Sequence, residues 1–323
     1  MTYFSIILSV YNGEKYIRRA LQSILDQTFD GYEAIIIDDG STDRTGKICK
    51  ELTGNDSRFQ YYYQDNQGIS LGRSNGVKKA SGEYILFLDA DDYFTINCLE
   101  HLRTVTEVKQ YDVIEFGRNG KSRFVEDTEI SPQDELKEYL QTGNTHVVLW
   151  RRCYRKNAIR YDMFPLRYCQ IEDEFTYPVI LANAESMVVL SESLYNHDMS
   201  NTESLMHLHA ADKEKSWERA MELAVELPRH LQSHIGDKAT PHELRCHKGR
   251  VQYNFLVNPF KSVSKNLKVL ATKSGSSTSE ILADCRYSML TWGGKKEVVV
   301  RIFGIYICAI LSQIHIRIRN RRS

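Results

Sequence analysis

Residues 82–92 read Gly82-Glu83-Tyr84-Ile85-Leu86-Phe87-Leu88-Asp89-Ala90-Asp91-Asp92. Tyr84 to Leu88 is an unbroken apolar run of strand length, which predicts a strand covered on both faces. It ends abruptly in Asp89-Ala90-Asp91-Asp92. Carboxylates so crowded repel one another unless a cation or several donors neutralise them. An all-oxygen set suits Mg²⁺ or Mn²⁺, ions that bridge protein carboxylates to substrate phosphates. A solvated acidic loop or a helix cap is the plainer alternative, and the strand in front weighs against it.

Towards the N-terminus the same grammar repeats. Residues 4–10 form a second buried strand, closed by a turn at Asn12-Gly13. Tyr16, Ile17, Ala20, Leu21, Ile24 and Leu25 recur at helical spacing, which predicts an amphipathic helix over 14–27. Residues 34–37 read as a strand ending in Asp38-Asp39-Gly40-Ser41, followed by cap-type residues and a helix carrying Ile48, Cys49 and Leu52. A strand at 59–63 and a helix at 70–80 complete the run. Strand and helix in alternation predict βαβ units and a mostly parallel sheet. Such sheets bind ligands beyond the carboxyl ends of their strands. Tyr11-Asn12, Asp38-Asp39 and the aspartates of 89–92 all fall at such ends. Stability alone does not require polar clusters converging on one rim.

Past residue 112 the pattern becomes mixed. Strands are expected at 113–116, 147–150 and 187–190, and a helix at 175–182. Helices follow at 209–231 and 240–256, with a Ser/Gly/Thr-rich loop at 273–279. The 323 residues suit one large domain, or a catalytic domain with a helical annex. Lys plus Arg equals Asp plus Glu, at 42 each, so no basic excess points to nucleic acid. The seven cysteines are scattered and never fall at Cys-x-x-Cys spacing, which argues against a disulfide framework or zinc site and for reduced thiols in the cytosol. No signal peptide is read at Met1-Thr2-Tyr3-Phe4, and no uncharged run reaches the roughly 20 residues of a membrane-spanning helix.

Two further elements carry chemistry. One cap needs only one carboxylate, so the pair Asp38-Asp39 leaves a second free to accept from a base N–H or a ribose hydroxyl. Residues 68–76 hold three glycines and Arg73, and a glycine-rich turn with an arginine can approach a diphosphate closely.

As a set, these stretches resemble glycosyltransferase family 2, the inverting enzymes of bacterial surface-polysaccharide type with the glycosyltransferase A-type fold. The resemblance is carried by residues 4–12, by Ser23 to Phe29, by Ile37-Asp38-Asp39-Gly40-Ser41-Thr42-Asp43, by Gly68 to Gly76 and by 82–92, in matching order. It implies an α/β fold with a mostly parallel central sheet flanked by helices and a helical C-terminal extension. It implies a nucleoside-diphosphate sugar donor, UDP-sugar first, and a glycan or lipid-linked glycan acceptor in capsule, O-antigen or exopolysaccharide assembly. Tyr11, Asn12 and Glu14 would border the nucleoside pocket, Asp39 would hold the base, and Arg73 would sit near the diphosphate. Asp89 and Asp91 would be the Asp-x-Asp pair, with Asp91 the direct ligand of Mn²⁺ or Mg²⁺, Asp89 beside donor and metal, and Asp92 a possible second ligand. Ser9 stands where the family often has Pro, and Ser74-Asn75 where Asn and a variable residue are usual.

Ile171-Glu172-Asp173-Glu174-Phe175 resembles the family's Glu-Asp element, which makes Asp173 the general base towards the acceptor hydroxyl. A hydroxyl attacking an anomeric carbon needs a carboxylate opposite the leaving group. Glu172 and Glu174 are rivals, and a helix N-terminus favouring acids is the plain alternative. His197, in Ser193-Leu194-Tyr195-Asn196-His197, reads better as a hydrogen-bonded structural histidine than as a ligand.

The expected organisation is a catalytic domain over 1–205, with a nucleotide-sugar half at 1–110 and an acceptor half at 111–205, and a helical region over 206–323. Its end pairs apolar 298–311 with Arg317, Arg319, Arg321 and Arg322. A short apolar segment with a basic end can lie on an anionic membrane, so a cytoplasmic enzyme peripheral to the inner face of the plasma membrane is expected. A catalytically silent binding protein of the same fold is the rival from another class. A nucleotidyltransferase is the enzymatic rival, and residues 4–13 lack its glycine-rich Arg-Lys signature.

Overall fold

A computed structural model of the chain describes residues 2–143, 147–165, 171–201, 212–256 and 263–291. The chain divides into two compact units, Met1–Glu135 with His146–Thr202, and Leu136–Thr145 with Glu203–Ser323. The first opens with the alternation β1 (Phe4–Val10), α1 (Ile17–Leu25), β2 (Tyr32–Asp38), α2 (Thr45–Thr53), β3 (Phe59–Tyr63), α3 (Ile69–Lys79) and β4 (Tyr84–Phe87). It continues through β5 (Tyr93–Phe94), α4 (Cys98–Val108), β6 (Val113–Arg118), β7 (Thr128–Ile130), α5 (Pro132–Thr142), β8 (Arg152–Arg155), α6 (Glu172–Asn183) and β9 (Met187–Asn196). The division between units falls inside α5.

Among the described residues one sheet runs in the order β3-β2-β1-β4-β8-β6-β9-β5, with β7 added against β9. The β1–β2, β2–β3 and β1–β4 ladders are parallel, as is β6–β9. The antiparallel ladders of β8 with β4 and β6, and of β5 and β7 with β9, are short. The sheet is therefore mostly parallel by paired residues.

The apolar run of β1 is explained by cover on both faces. Phe4, Ile6, Leu8 and Val10 join a core with Ile17, Ala20, Leu21 and Ile24 of α1. On the other face α3 lies so close that a Cβ at Gly72 would meet Ser9 Oγ at 2.2 Å, and one at Gly76 would meet Ile7 Cγ2 at 2.3 Å. Only glycine permits that approach, which brings the start of α3 against the strand ends. Ser9, where a Pro was the commoner expectation, is thus the surface on which α3 rests.

The second unit holds α7 (Lys213–Ile235), α8 (Pro241–Leu256), α9 (Val263–Ser274) and α10 (Thr278–Thr291). Its core gathers Trp217, Ala224, Phe255, Leu256, Leu270 and Ile281. A buried Asn266 accepts from Trp217 Nε1 at 2.8 Å and donates to the Phe255 carbonyl at 3.1 Å, so that no polar atom of that pair is stranded.

Several sequence expectations shift. The first helix begins at Ile17 rather than 14, because Gly13 and Glu14 are held by the neighbouring loop. The strand expected at 147–150 is at Arg152–Arg155, where two charged side chains hid it. Arg152 is buried, as is Arg151 just before the strand: both pair with Glu115 on β6, and Arg152 lies 3.9 Å from the Tyr177 ring. The loop expected at 273–279 shrinks to 275–277, because Ser277 and Glu280 cap each other's backbone N–H and start α10. The helix expected from 209 is described from Lys213 and runs on to Ile235. The apolar–basic tail lies outside the described residues. No disulfide joins the five described cysteines, and no described helix is long and apolar enough to cross a membrane.

Candidate functional site

The carboxyl ends of β1, β2 and β4 carry the polar clusters, and the loops after β1 and β2 brace each other. Asn12, at a φ of 51°, accepts from Thr42 N through Oδ1 at 2.9 Å, while its own N donates to Ser41 Oγ at 2.9 Å. Glu14 Oε2 accepts from Arg44 N at 3.0 Å, at the start of α2. The Asn12 and Glu14 oxygens are therefore spent on the rim of the site. Tyr11 is left 54% exposed between these loops and β1, with its ring open to a flat ligand.

Asp39 is buried and held from one side. Its Oδ1 accepts from Gln64 Nε2 at 2.7 Å and Gln67 N at 2.9 Å, and its Oδ2 from Gly68 N at 2.7 Å. Asp38, its neighbour, takes Tyr61 Oη at 2.6 Å and Ser41 N at 2.8 Å. Asp38 fixes the turn, whereas Asp39, expected to be free for a ligand, already accepts three hydrogen bonds from the segment between β3 and α3.

Arg73 is 3% exposed and reaches carboxylates from two distant parts of the chain. Nη2 meets Asp89 Oδ1 at 2.6 Å, at the end of β4, and Nη1 meets Asp173 Oδ1 at 2.8 Å and Glu172, at the start of α6. This changes the reading of Arg73. Its guanidinium is committed to three acids and is not presented to solvent as a phosphate-binding cation would be. Burial works against its charge, but the fields of Asp89, Glu172 and Asp173 outweigh it and raise its pKa. One cation cannot serve three carboxylates equally. Burial, then the charge of Glu172, push Asp173 well above the usual carboxylate range, and Arg73 offsets this only in part. Asp173 still keeps 23% of its side chain accessible.

The remaining aspartates of 89–92 separate by partner. Asp92 is fully buried and accepts from Tyr195 Oη at 2.7 Å and Asp198 N at 2.8 Å, with His197 Nδ1 at 3.1 Å. It is a structural anchor and is not turned out as a second metal ligand. His197 takes its place in that anchor, stacked on Trp150 at 5.1 Å, with its pKa raised by the hydrogen bond to Asp92. Among the described residues no cation lies against the Asp91 carboxylate; Asn201 Nδ2 donates to its Oδ2 at 2.8 Å. Burial, then the charge of Asp89, raise it to about 6. Arg19 ties the backbone beside it, donating to the Asp91 carbonyl at 2.6 Å and to Asp198 at 2.5 Å. Gln64, Arg19, Asp198 and Asn201 were not picked out from the sequence. The last two lie just after β9, and nothing local in the sequence joins them to residue 91.

The donor set fits a hard divalent cation. Asp91 is a carboxylate whose charge is disfavoured by its surroundings, and Asp89 stands beside it with Oδ2 outside the Arg73 contact. Two carboxylate oxygens, completed by water and substrate phosphates, match the ordinary coordination of Mg²⁺ or Mn²⁺. No group of three or more metal-ligating side chains occurs among the described residues, so any cation here would depend on its ligand for the rest of its shell.

Residues 5–170, half of the chain, match the model of glycosyl transferase family 2. The chain belongs to that family. It is 36% identical over 186 residues to EpsH of Bacillus subtilis strain 168, covering 53% of each, and 32% identical over 204 residues to EpsJ of the same organism, covering 59% of each. Both carry glycosyltransferase names. YibD of Escherichia coli K12, named an uncharacterised glycosyltransferase, is 29% identical over 250 residues, 72% of each chain. The match spans about half the length of EpsH. Among solved structures, Staphylococcus aureus TarS 1-349 in complex with UDP-GlcNAc aligns with a TM-score of 0.56 at 21% identity, over 90% of this chain and 89% of that one. The mannosyltransferase PcManGT of Pyrobaculum calidifontis, in complex with GDP-Man and Mn²⁺, aligns at 0.50 with 13% identity, over 96% and 86%. At these identities the likeness is one of fold, the glycosyltransferase A type.

Proposed function

We propose that this family-2 chain is an inverting, metal-assisted glycosyltransferase, moving a sugar from a nucleoside-diphosphate sugar, UDP-sugar first, to a hydroxyl of a glycan or lipid-linked glycan. The observation that carries the reading is the meeting of Asp89 from β4 with Asp173 from α6 on one buried guanidinium. In this reading a donor-side acid and an acceptor-side acid, 84 positions apart in the numbering, share one counter-charge.

In this reading Tyr11 and Asp39 receive the base, and Asn12 and Glu14 hold the loop that shapes its pocket. Asp91 and Asp89 would hold Mg²⁺ or Mn²⁺. When bound, such an ion stabilises the charge that develops on a departing diphosphate. Arg73 acts from behind, fixing Asp89 and Asp173 rather than gripping phosphate. Asp173 takes the proton of the acceptor hydroxyl as that oxygen attacks the anomeric carbon from the face opposite the leaving group. The half at 1–110 would serve the donor and 111–205 the acceptor, with the helical region over 206–323 appended. Structural neighbours in complex with UDP, UDP-GlcNAc and GDP-Man support a nucleotide-sugar site of this kind. The sequence of the tail, apolar to residue 311 and then rich in arginine, supports attachment to an anionic membrane surface on the cytoplasmic side, near a lipid-linked acceptor.

The test is release of nucleoside diphosphate from a panel of sugar nucleotides incubated with the full chain and Mn²⁺, with a lipid-linked glycan as acceptor. Manganese-dependent release that Asp91→Asn abolishes supports the reading. Binding of sugar nucleotide without turnover on any acceptor, unchanged by Asp173→Asn, would instead make the chain a silent binding protein.

A further inference from the structure

Gln64 stands between Asp39 and Asn75, and its orientation is dictated. A carboxylate only accepts, so the group that Gln64 turns to Asp39 must be its NH₂. The Gln64 carbonyl oxygen therefore faces Asn75, and Asn75 Nδ2 donates to it at 2.8 Å. A chain of donors runs one way, from Asn75 to Gln64 to Asp39. Asn75 follows Ser74, the position at which the sequence leaves the family pattern, and its amide is turned to Gln64.

The count of lone pairs follows. An ionised carboxylate offers about four acceptor positions. Asp39 Oδ1 has two filled, by Gln64 Nε2 and Gln67 N, and Oδ2 has one filled, by Gly68 N. One position remains, on Oδ2. On the same carboxylate's other oxygen, Oδ1, Gln64 Nε2 uses one hydrogen, and its second has no acceptor among the described residues. The site thus presents one acceptor and one donor.

We propose that Gln64, positioned by Asn75, is a base-specificity residue of the donor site and selects a pyrimidine-dione base, uracil or thymine. This rests on the nucleotide-sugar reading above. Uracil and thymine show a single ring N–H flanked by carbonyl oxygens, so the N–H meets Asp39 Oδ2 and a carbonyl accepts from Gln64. Guanine brings two adjacent donors, a ring N–H and an amino group, and would need both oxygens of Asp39, one of which is saturated. Cytosine and adenine place an acceptor nitrogen where Asp39 needs a donor, so lone pair faces lone pair. A buried polar group left unpaired by the wrong base is penalised more than the right base gains. The methyl of thymine is not read by this pair.

The experiment is calorimetric titration of the full chain with UDP, dTDP, GDP and CDP in the presence of Mn²⁺, for wild type, Gln64→Ala and Asn75→Asp. Wild type is expected to bind UDP at least about tenfold more tightly than GDP or CDP. Gln64→Ala frees a position on Asp39 Oδ1 and removes the donor, so the UDP-to-GDP preference should fall by about tenfold, the worth of roughly one hydrogen bond lost and one gained. Asn75→Asp offers an acceptor to the Gln64 carbonyl and sets that amide in conflict with two carboxylates; it should lower the same ratio without touching the base itself. If either variant binds both nucleotides with the wild-type ratio, Gln64 does not read the base. Wild type preferring GDP overturns the inference and leaves the sugar-nucleotide reading standing. Wild type binding none of the four overturns both.

Discussion

Replacing Arg73 by Met keeps most of its aliphatic stem and removes the cation from among Asp89, Glu172 and Asp173. The pair with Glu172 is the most enclosed, with side chains 3% and 5% exposed. Breaking such a pair by deleting one partner costs about 3–5 kcal/mol, because the other charge stays buried and uncompensated. Asp89 and Asp173, 27% and 23% exposed, are partly screened and add less. The expected loss is about 4 kcal/mol at pH 8, at the centre of that range. The penalty is reduced by a proton on Asp173, whose folded pKa already lies above the unfolded carboxylate value near 4 and rises further without Arg73. The native state then binds more protons than the unfolded state, and stability falls as pH rises through that window. Urea unfolding of wild type and Arg73→Met at pH 5 and pH 8 measures this. The variant should lose clearly more stability at pH 8 than at pH 5. Arg73→Lys should fall between, because one ammonium cannot span acids from both β4 and α6. A loss below about 1 kcal/mol at pH 8, as for an exposed ion pair, or a loss equal at both pH values, would refute the assignment of Arg73 as the shared counter-charge.

Other expectations follow from the same geometry. Asp91→Asn should abolish Mn²⁺-dependent UDP binding with the fold intact; in wild type that binding should weaken as pH drops through about 6, where Asp91 takes up its proton, and calorimetry at pH 5.5 and 7.5 checks both. Asp173→Asn should lower kcat by about 10²- to 10⁴-fold, the usual contribution of a positioned base, with donor affinity almost unchanged; a crippled Glu172→Gln beside a mild Asp173→Asn would move the base by one residue. The acid-side pKa in the kcat profile should lie below that in kcat/KM, and equal values would show that donor binding leaves Asp173 untouched. His197 has a folded pKa raised above 6.5 by Asp92, so its stabilisation is complete below about 6.5 and is lost as pH rises through the higher folded value. The stability gap between wild type and His197→Gln should therefore be wider at pH 6 than at pH 8.5 in thermal melts.

The parts of the fold legible in the sequence were those with local causes. The strand at 4–10 was readable because cover on both faces demands an unbroken apolar run, and the structure begins and ends it at Phe4 and Val10. The clusters at 38–39 and 89–92 were readable because strand ends in a parallel sheet are where side chains converge. Helix α4 has Cys98, Leu99, Leu102 and Thr106 buried at helical spacing, a signal that was present and passed over. The Ser277–Glu280 cap was equally local. β8 was not legible: its Arg152 looks like surface and is buried only because Glu115 and Tyr177 come from elsewhere in the chain. The same holds within the site. Nothing near residue 73 announces that its guanidinium turns inward, because its three partners lie 16, 99 and 100 residues away.

That inward turn bears on how a base could be switched on. In the donor-free protein Arg73 divides its charge between Asp89 and the two acids of α6, and Asp173 sits above the usual carboxylate range. A raised pKa leaves less of Asp173 ionised at a given pH, and only the ionised form accepts a proton from an acceptor hydroxyl. Asp89 contacts Arg73 through Oδ1, so a cation held by its Oδ2 in the proposed donor complex would draw on the same carboxylate charge without displacing that contact. With the Asp89 charge shared with that cation, more of the guanidinium's field would fall on Glu172 and Asp173, and an opposite charge less divided favours the ionised acid. The proton on Asp173 then leaves more readily once the donor is in place. A water or a sugar hydroxyl that entered the donor-free site would meet less of the ionised carboxylate. In the proposed reaction, the buried arginine thereby links occupancy of the nucleotide half to readiness of the acceptor half, a task that a solvent-exposed phosphate-binding arginine could not perform.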